Sequence, residues 1–195
     1  GKILIGKDGK PYRLGFAIDM SHSAERSTLH AIELSDRPIT ITHANPASWH
    51  PALRNKSDTL LKALAESGGM LGISIYPHHL NNGSDCSLED FCQMVARTAE
   101  LIGVEHIGFG SDLCQGQPDS VVEWMRNGRW TKERDFGEGS ANNAGFPSQP
   151  SWFKNSTNYP GIAEGLIATG FSEDEVTRIC WQNWYDFMAN SFEPA

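Results

Sequence analysis

Short apolar runs and amphipathic stretches take turns along the chain. Residues 14–20 (LGFAIDM) have no helical period and match a strand buried on both faces. Residues 23–35 read as a helix, with Leu29 and Ile32 three apart and Ser23 placed to cap it. After Pro38 the β-branched residues 39–42 (ITIT) predict a second strand. A polar loop follows, then TLLKALAES, a helix that Ser57 or Asp58 can cap and that Gly68 and Gly69 stop. Residues 70–75 are a third apolar run. Ser87 and Asp90 suit the opening of a helix that reaches Ile102 and ends at Gly103. Residues 104–110 are the fourth run. The order β-α-β-α-β-α-β, repeating at about 25 to 35 residues, implies right-handed crossovers and a parallel sheet.

Other segments depart from this rhythm. Residues 1–13 hold the turn signal Lys7-Asp8-Gly9-Lys10 and predict a lead-in hairpin or loop. Residues 113–160 are rich in Gly, Asn and Ser, with one short helix at 121–126. A stretch that long after a strand reads as an insertion or lid. Trp124, Trp130 and Trp152 are expected to pack it against the rest. Residues 161–195 return to helix and complete the same domain as 14–112. Within them Ser172 and Glu175 form a capping box for one long helix through Met188.

Composition narrows the function classes. A chain of 195 residues is long enough for one domain with a sizeable core. It contains no run of about 18 apolar residues, so no transmembrane helix is expected. A net charge of −8 argues against a nucleic-acid partner. Cys86, Cys92, Cys114 and Cys180 make no C-x-x-C pair and read as reduced thiols, which points to the cytoplasm. The chain begins at Gly1, so the true N-terminus and export stay open.

The chemistry gathers where the runs end. In parallel α/β folds, sites lie at the carboxyl ends of the strands. His22 and His43 each follow a run, and Asp112 follows the fourth. Imidazole is a common metal ligand, and aspartate can ligate or move protons. Neighbouring strands lie about 4.8 Å apart, close enough for two such histidines to meet. A lone histidine after a strand is more often a satisfied polar residue, and Asp112 could simply cap a loop.

The words IDMSH, THAN, RNKSD and GFGSD, in that order, resemble the membrane (renal) dipeptidases, peptidase family M19, in their proteobacterial branch. The intervals agree with that family: 21 residues from His22 to His43, 11 from His43 to Arg54 and 69 from His43 to Asp112. The resemblance covers roughly residues 14–190. It implies a (β/α)8 TIM barrel with two zinc ions and hydrolysis of a dipeptide's peptide bond. It also implies His22 and His43 as ligands of one zinc, Arg54 on the substrate carboxylate and Asp112 as general acid/base. Tyr76 and His79, after the third run, would line the substrate cleft, and Asn45 would brace His43 from behind.

The same resemblance implies residues that the chain does not contain. The family's His-x-Asp pair is absent, and a barrel takes about 250 residues. The expectation is therefore an α/β fold that is the C-terminal half only of a barrel, with about four parallel strands, five to eight. Such a chain would pair with an N-terminal half, with a homodimer left open. Isolated, it would be inactive or nearly so. Manganese or cobalt would suit the same donors. Two other readings stand beside it: an inactive fragment or binding module, and another metal-dependent amidohydrolase with a lysine bridging its metals.

Overall fold

The computed structural model describes residues 3–5, 11–13, 16–126 and 145–192. Two short strands, β1 (Ile3–Ile5) and β2 (Pro11–Arg13), pair antiparallel. The main sheet is parallel and three-stranded, in the order β3 (Thr40–Ala44), β4 (Met70–Ile73), β5 (Ile107–Phe109). Helix α1 (Glu25–Leu34) precedes β3, α2 (Asp58–Glu66) joins β3 to β4, and α3 (Leu88–Ile102) joins β4 to β5. Then come α4 (Asp119–Arg126), α5 (Tyr159–Thr169), α6 (Glu173–Thr177) and α7 (Asn183–Phe192).

Local chemistry sets these boundaries. The Ser57 hydroxyl accepts the Leu60 N–H at 3.1 Å and starts α2, and Ser87 accepts from Asp90 at 3.0 Å to start α3. Both helices turn apolar stripes inward. Leu60, Leu61 and Leu64 are fully buried, each worth on the order of 1.5–3 kcal/mol of burial. Helix α1 differs, since Ala24 holds the cap position with no side-chain bond and Ser23 lies outside it. All of β4 is buried.

Among the described residues the first expected strand does not form, and its residues 14 and 15 lie outside them. Residues 18–20 make one isolated bridge, Asp19 to Thr40, through Thr40 N–H to the Ile18 carbonyl at 2.8 Å and Met20 N–H to the Thr40 carbonyl at 2.9 Å. The next rung would be Thr42 N–H to the Met20 carbonyl. That carbonyl instead accepts from Ser23 N–H at 3.0 Å, and Thr42 N–H goes to the Asp19 carboxylate at 3.0 Å. A side chain has replaced the rung and the ladder stops.

The TIM barrel is corrected too. Among the described residues the sheet has three strands, not four, and it stays open. Three strands, each rotated about 20–25° from the next, sweep only a small part of a circle. The fourth run begins as a single 3-10 turn at Val104–His106, because the Asn183 amide draws the carbonyls of Val104 and Ile107 to itself at 2.7 and 2.8 Å.

Of the expected insertion, residues 127–144, with Trp130, lie outside the described residues. Trp124 is 76% exposed and packs nothing down. Trp152 does pack, its ring tilted 41° against Phe91 at 5.0 Å and its indole N–H donated to the Cys86 carbonyl at 2.7 Å. The expected long C-terminal helix is broken. The Ser172–Glu175 capping box forms, but a π-turn at Arg178–Gln182 separates α6 from α7. The shift brings Trp184 onto the sheet, where its indole N–H reaches the Phe109 carbonyl at 3.1 Å.

That contact depends on glycine. A Cβ on Gly108 would lie 2.3 Å from the Trp184 indole nitrogen, and one on Gly72 would lie 1.9 Å from the Thr42 carbonyl oxygen. The second obstacle is backbone and cannot swing aside. Gly72→Ala is therefore expected to push β3 from β4 and cost about 1–3 kcal/mol. Urea unfolding checks this; a midpoint equal to that of the parent would refute it.

Candidate active site

Strand β3 delivers His43 to the carboxyl end of the sheet, and the turn after the Asp19 bridge delivers His22. Their Nε2 atoms face one another at 3.1 Å, rings at 63°. His22 is exposed, yet partial burial, then the Arg54 cation, then His43 hold its pKa below the usual range. At neutral pH it keeps a lone pair. His43 is anchored on its other side, with Nδ1 2.9 Å from the Thr42 hydroxyl.

Arg54 and Asp112 close on the same point. Arg54 Nη2 lies 3.3 Å from His43 Nε2, and Asp112 Oδ2 lies 4.0 Å from it. Asp112 sits at φ +53°, in the left-handed region that aspartate tolerates better than most residues. Arg54 Nε is buried and has no hydrogen-bond partner among the described residues. An orphaned guanidinium N–H in such a place suits an anion.

Polar bracing surrounds this cluster. Asp19 accepts from Ser21 N–H at 3.0 Å, Ser21 Oγ at 2.5 Å, Thr42 N–H at 3.0 Å and Thr42 Oγ1 at 3.0 Å. Burial raises its pKa, but these bonds outweigh burial and hold it below the ordinary value. Lys56, 5% exposed, donates to the carbonyls of Ser21 and Ser23 at 3.0 and 2.9 Å, one on each side of His22. Asn45 bonds to Ser74 and His79: its oxygen takes Ser74 N–H at 2.9 Å and its amide reaches the Ser74 and His79 carbonyls, each at 3.1 Å. His79 is buried, with Nδ1 2.8 Å from the Ser74 hydroxyl. Tyr76 stands beside it, rings 5.2 Å apart.

The structure thus gathers His22, His43, Arg54 and Asp112 at one point and sets Asn45 and His79 in the wall behind. Asp19, Ser21, Thr42 and Lys56 carry much of the geometry and were not singled out from the sequence. A signal existed: Asp19 is a charge inside an apolar run. Thr42 gave none, since threonine in a strand reads as β propensity.

The zinc expected from the sequence is not borne out. Among the described residues no group of three or more His, Cys, Asp or Glu side chains is arranged to hold a metal ion. The groups nearest His43 Nε2 besides His22 are a cation, Arg54 at 3.3 Å, and the Asp112 carboxylate at 4.0 Å. The two imidazoles do fit two positions on one divalent ion, whose nitrogen ligands stand about 3.3 Å apart in tetrahedral geometry. Thiol chemistry is poorly served. All four cysteines are free, and burial pushes Cys86 and Cys92 up to about 11.

Comparison with known proteins gives the family. The family model of membrane dipeptidases (peptidase family M19) matches residues 10–128. Dipeptidase aclJ of Aspergillus oryzae is 31% identical over 173 residues, 88% of this chain and 34% of that protein. An amidohydrolase from Pseudomonas aeruginosa superposes with TM-score 0.79 at 25% identity, over 91% of this chain and 53% of that one. A metallo peptidase from Rhodobacter sphaeroides, liganded with a phosphinate mimic of the dipeptide L-Ala-D-Ala, has the same fold, with TM-score 0.67 at 20% identity over 93% of this chain and 51% of that one. The chain therefore spans a third to a half of these relatives' length. The expectation of a C-terminal half only is corrected by the same figures, because the likeness takes in nearly the whole chain. Among the described residues no helix is long and apolar enough to cross a membrane.

His79 makes stability depend on pH. Burial, then Arg54, then His43 lower its pKa to about 3. An unfolded histidine titrates near 6.5. Below that pH the unfolded chain binds a proton that the native chain refuses, so stability falls as pH drops from about 6.5 towards 3, at up to about 1.4 kcal/mol per pH unit. His79→Asn, which keeps a partner for Ser74, should flatten the curve over that window. Parallel parent and variant curves in urea unfolding from pH 7 to pH 4 would exclude His79 as the source.

Proposed function

The chain belongs to the membrane dipeptidase family, peptidase family M19, and on that premise we propose that it binds a dipeptide at its free carboxylate and serves the hydrolysis of the peptide bond. The observation that carries this is the convergence of His22, His43, Arg54 and Asp112 on one point at the end of β3. A divalent ion held by His22 and His43 would supply Lewis-acid polarisation of the scissile carbonyl and of water. Arg54 offers its unpartnered Nε–H, together with Nη2, as a two-pronged donor to the substrate carboxylate. Asp112 takes a proton from the attacking water and returns it to the leaving amine, so that two amino acids result. Tyr76 and His79 line the wall beside them, and Asn45 fixes that wall to β3.

Two imidazoles are fewer protein ligands than the three that a catalytic metal commonly has. Turnover by the 195-residue chain is accordingly weak, and binding is the sharper measurement. A binding module without turnover is the second reading, favoured by the lack of a third ligand among the described residues. The amidohydrolase with a bridging lysine is disfavoured, because Lys56 spends its ammonium on two backbone carbonyls.

Calorimetric titration tests the proposal. One Co2+ should bind per chain, with binding lost in His22→Ala and in His43→Ala. With Co2+ present, L-Ala-D-Ala should bind more tightly than its C-terminal amide, and Arg54→Met should erase that difference. Indifference to the carboxylate in the parent chain would sink the assignment of Arg54. Brisk hydrolysis would show that two histidines suffice.

A further inference from the structure

The hydrogen bonds around His43 determine where its proton sits. The Asp19 carboxylate can only accept. Ser21 Oγ donates to Asp19 Oδ1, and Thr42 Oγ1 donates to Asp19 Oδ2 at 3.0 Å. Each hydroxyl owns one proton, so each oxygen is left as an acceptor towards everything else. The Ser21 oxygen takes the His43 backbone N–H at 3.2 Å. The two hydroxyl oxygens, 3.1 Å apart, have no proton left to share. Thr42 Oγ1 then faces His43 Nδ1 at 2.9 Å with only a lone pair to offer, and the proton between them belongs to the imidazole.

The opposite edge of the ring gives the same answer independently. Arg54 Nη2 lies 3.3 Å from His43 Nε2, and a guanidinium has donors only. Nε2 must be the acceptor. Both edges therefore specify the Nδ1–H tautomer.

We propose that Asp19 is a positioning residue that acts through the Thr42 hydroxyl to hold His43 as the Nδ1–H tautomer, which leaves the lone pair on Nε2, the nitrogen nearest both His22 and Arg54. The use of that lone pair for a metal ion rests on the function proposed above; the tautomer itself does not. Histidines that bind metals commonly donate the other ring N–H to a carboxylate or carbonyl. Here a threonine hydroxyl is interposed, so the carboxylate acts at one remove and orients the hydroxyl before the hydroxyl orients the ring.

The relay makes a prediction that a structural role would not. Two backbone N–H groups, from Ser21 and Thr42, point at Asp19 Oδ1. In Asp19→Asn the amide oxygen must stay there, and the amide NH2 must take the Oδ2 position against Thr42 Oγ1. The threonine proton is then free to point at His43 Nδ1, which moves the tautomer population towards Nε2–H against the opposing Arg54 donor.

Long-range 1H–15N spectra of histidine-labelled, metal-free full chain at pH 8 read this directly, with the His43 signals assigned by their loss in His43→Gln. The parent and Thr42→Ser should show Nδ1–H, Asp19→Asn should show a raised share of Nε2–H, and Thr42→Val should fall between them. Co2+ binding should weaken about 10–100-fold in Asp19→Asn and Thr42→Val and recover in Thr42→Ser. An Nε2–H pattern in the parent, or an unchanged Nδ1–H pattern in Asp19→Asn, overturns the proposal. Failure of the parent to bind Co2+ would remove the metal function while the spectra still decide the tautomer.

Discussion

A backbone donor of β3 towards the preceding segment, Thr42 N–H, is taken by a carboxylate rather than by a carbonyl. Much else depends on this substitution. Had Met20 supplied the acceptor, residues 14–20 would have run on as a fourth strand and carried His22 further along it. Instead the Met20 carbonyl closes a turn with Ser23 N–H, and the chain bends so that His22 faces His43 across 3.1 Å. Asp19 gives up a regular rung and gains four donors. Bonds to an ionised acceptor are the stronger kind, which makes the exchange favourable even for a side chain that stays exposed.

The other side of His43 is held by neutral amides. Asn45 is fully buried, and its oxygen and nitrogen both find backbone partners on the segment after β4. Asn55 repeats the pattern, accepting Asn45 N–H at 3.0 Å and donating to the carbonyls of His50 and His79. A satisfied buried network fixes one geometry, because removing a partner leaves a group whose desolvation costs about 1–3 kcal/mol. With Lys56 clamping the carbonyls of Ser21 and Ser23, both histidine-bearing segments are tied down through backbone atoms. Their ring nitrogens are left to the site.

Local rules were legible in the sequence and non-local ones were not. The caps of α2 and α3 need only a serine three residues ahead of its N–H partner, so Ser57 and Ser87 could be read directly. The strand at 14–20 failed because its end depends on what Asp19 meets across 23 residues. The break between α6 and α7 failed for a similar reason: Asn183 and Trp184 are drawn to backbone carbonyls 75 to 79 residues earlier, and no periodicity records that pull. Closure into a barrel came from resemblance alone, and it is a property of the whole strand set. In the site, His22, His43, Arg54 and Asp112 were visible as chemical types at strand ends. Asp19, Thr42 and Lys56 were not, because a bracing residue is recognised by its partners and looks ordinary without them.

Electrostatics sets a condition on how the site can be filled. The guanidinium and the carboxylate of the site cancel in charge, with an Arg54 N–H unmet. In the structure the His43 Nε2 lone pair lies against Arg54. A single lone pair cannot serve a guanidinium donor and a divalent cation at once, and two cations at about 3 Å repel strongly wherever water is scarce. An occupant of the His22–His43 gap must therefore arrive with, or be followed by, an anion that draws Arg54 aside. A free carboxylate satisfies that condition and also fills the empty Nε–H. On the proposed function, an arrangement incomplete for a metal alone would be complementary to a metal and a carboxylate together.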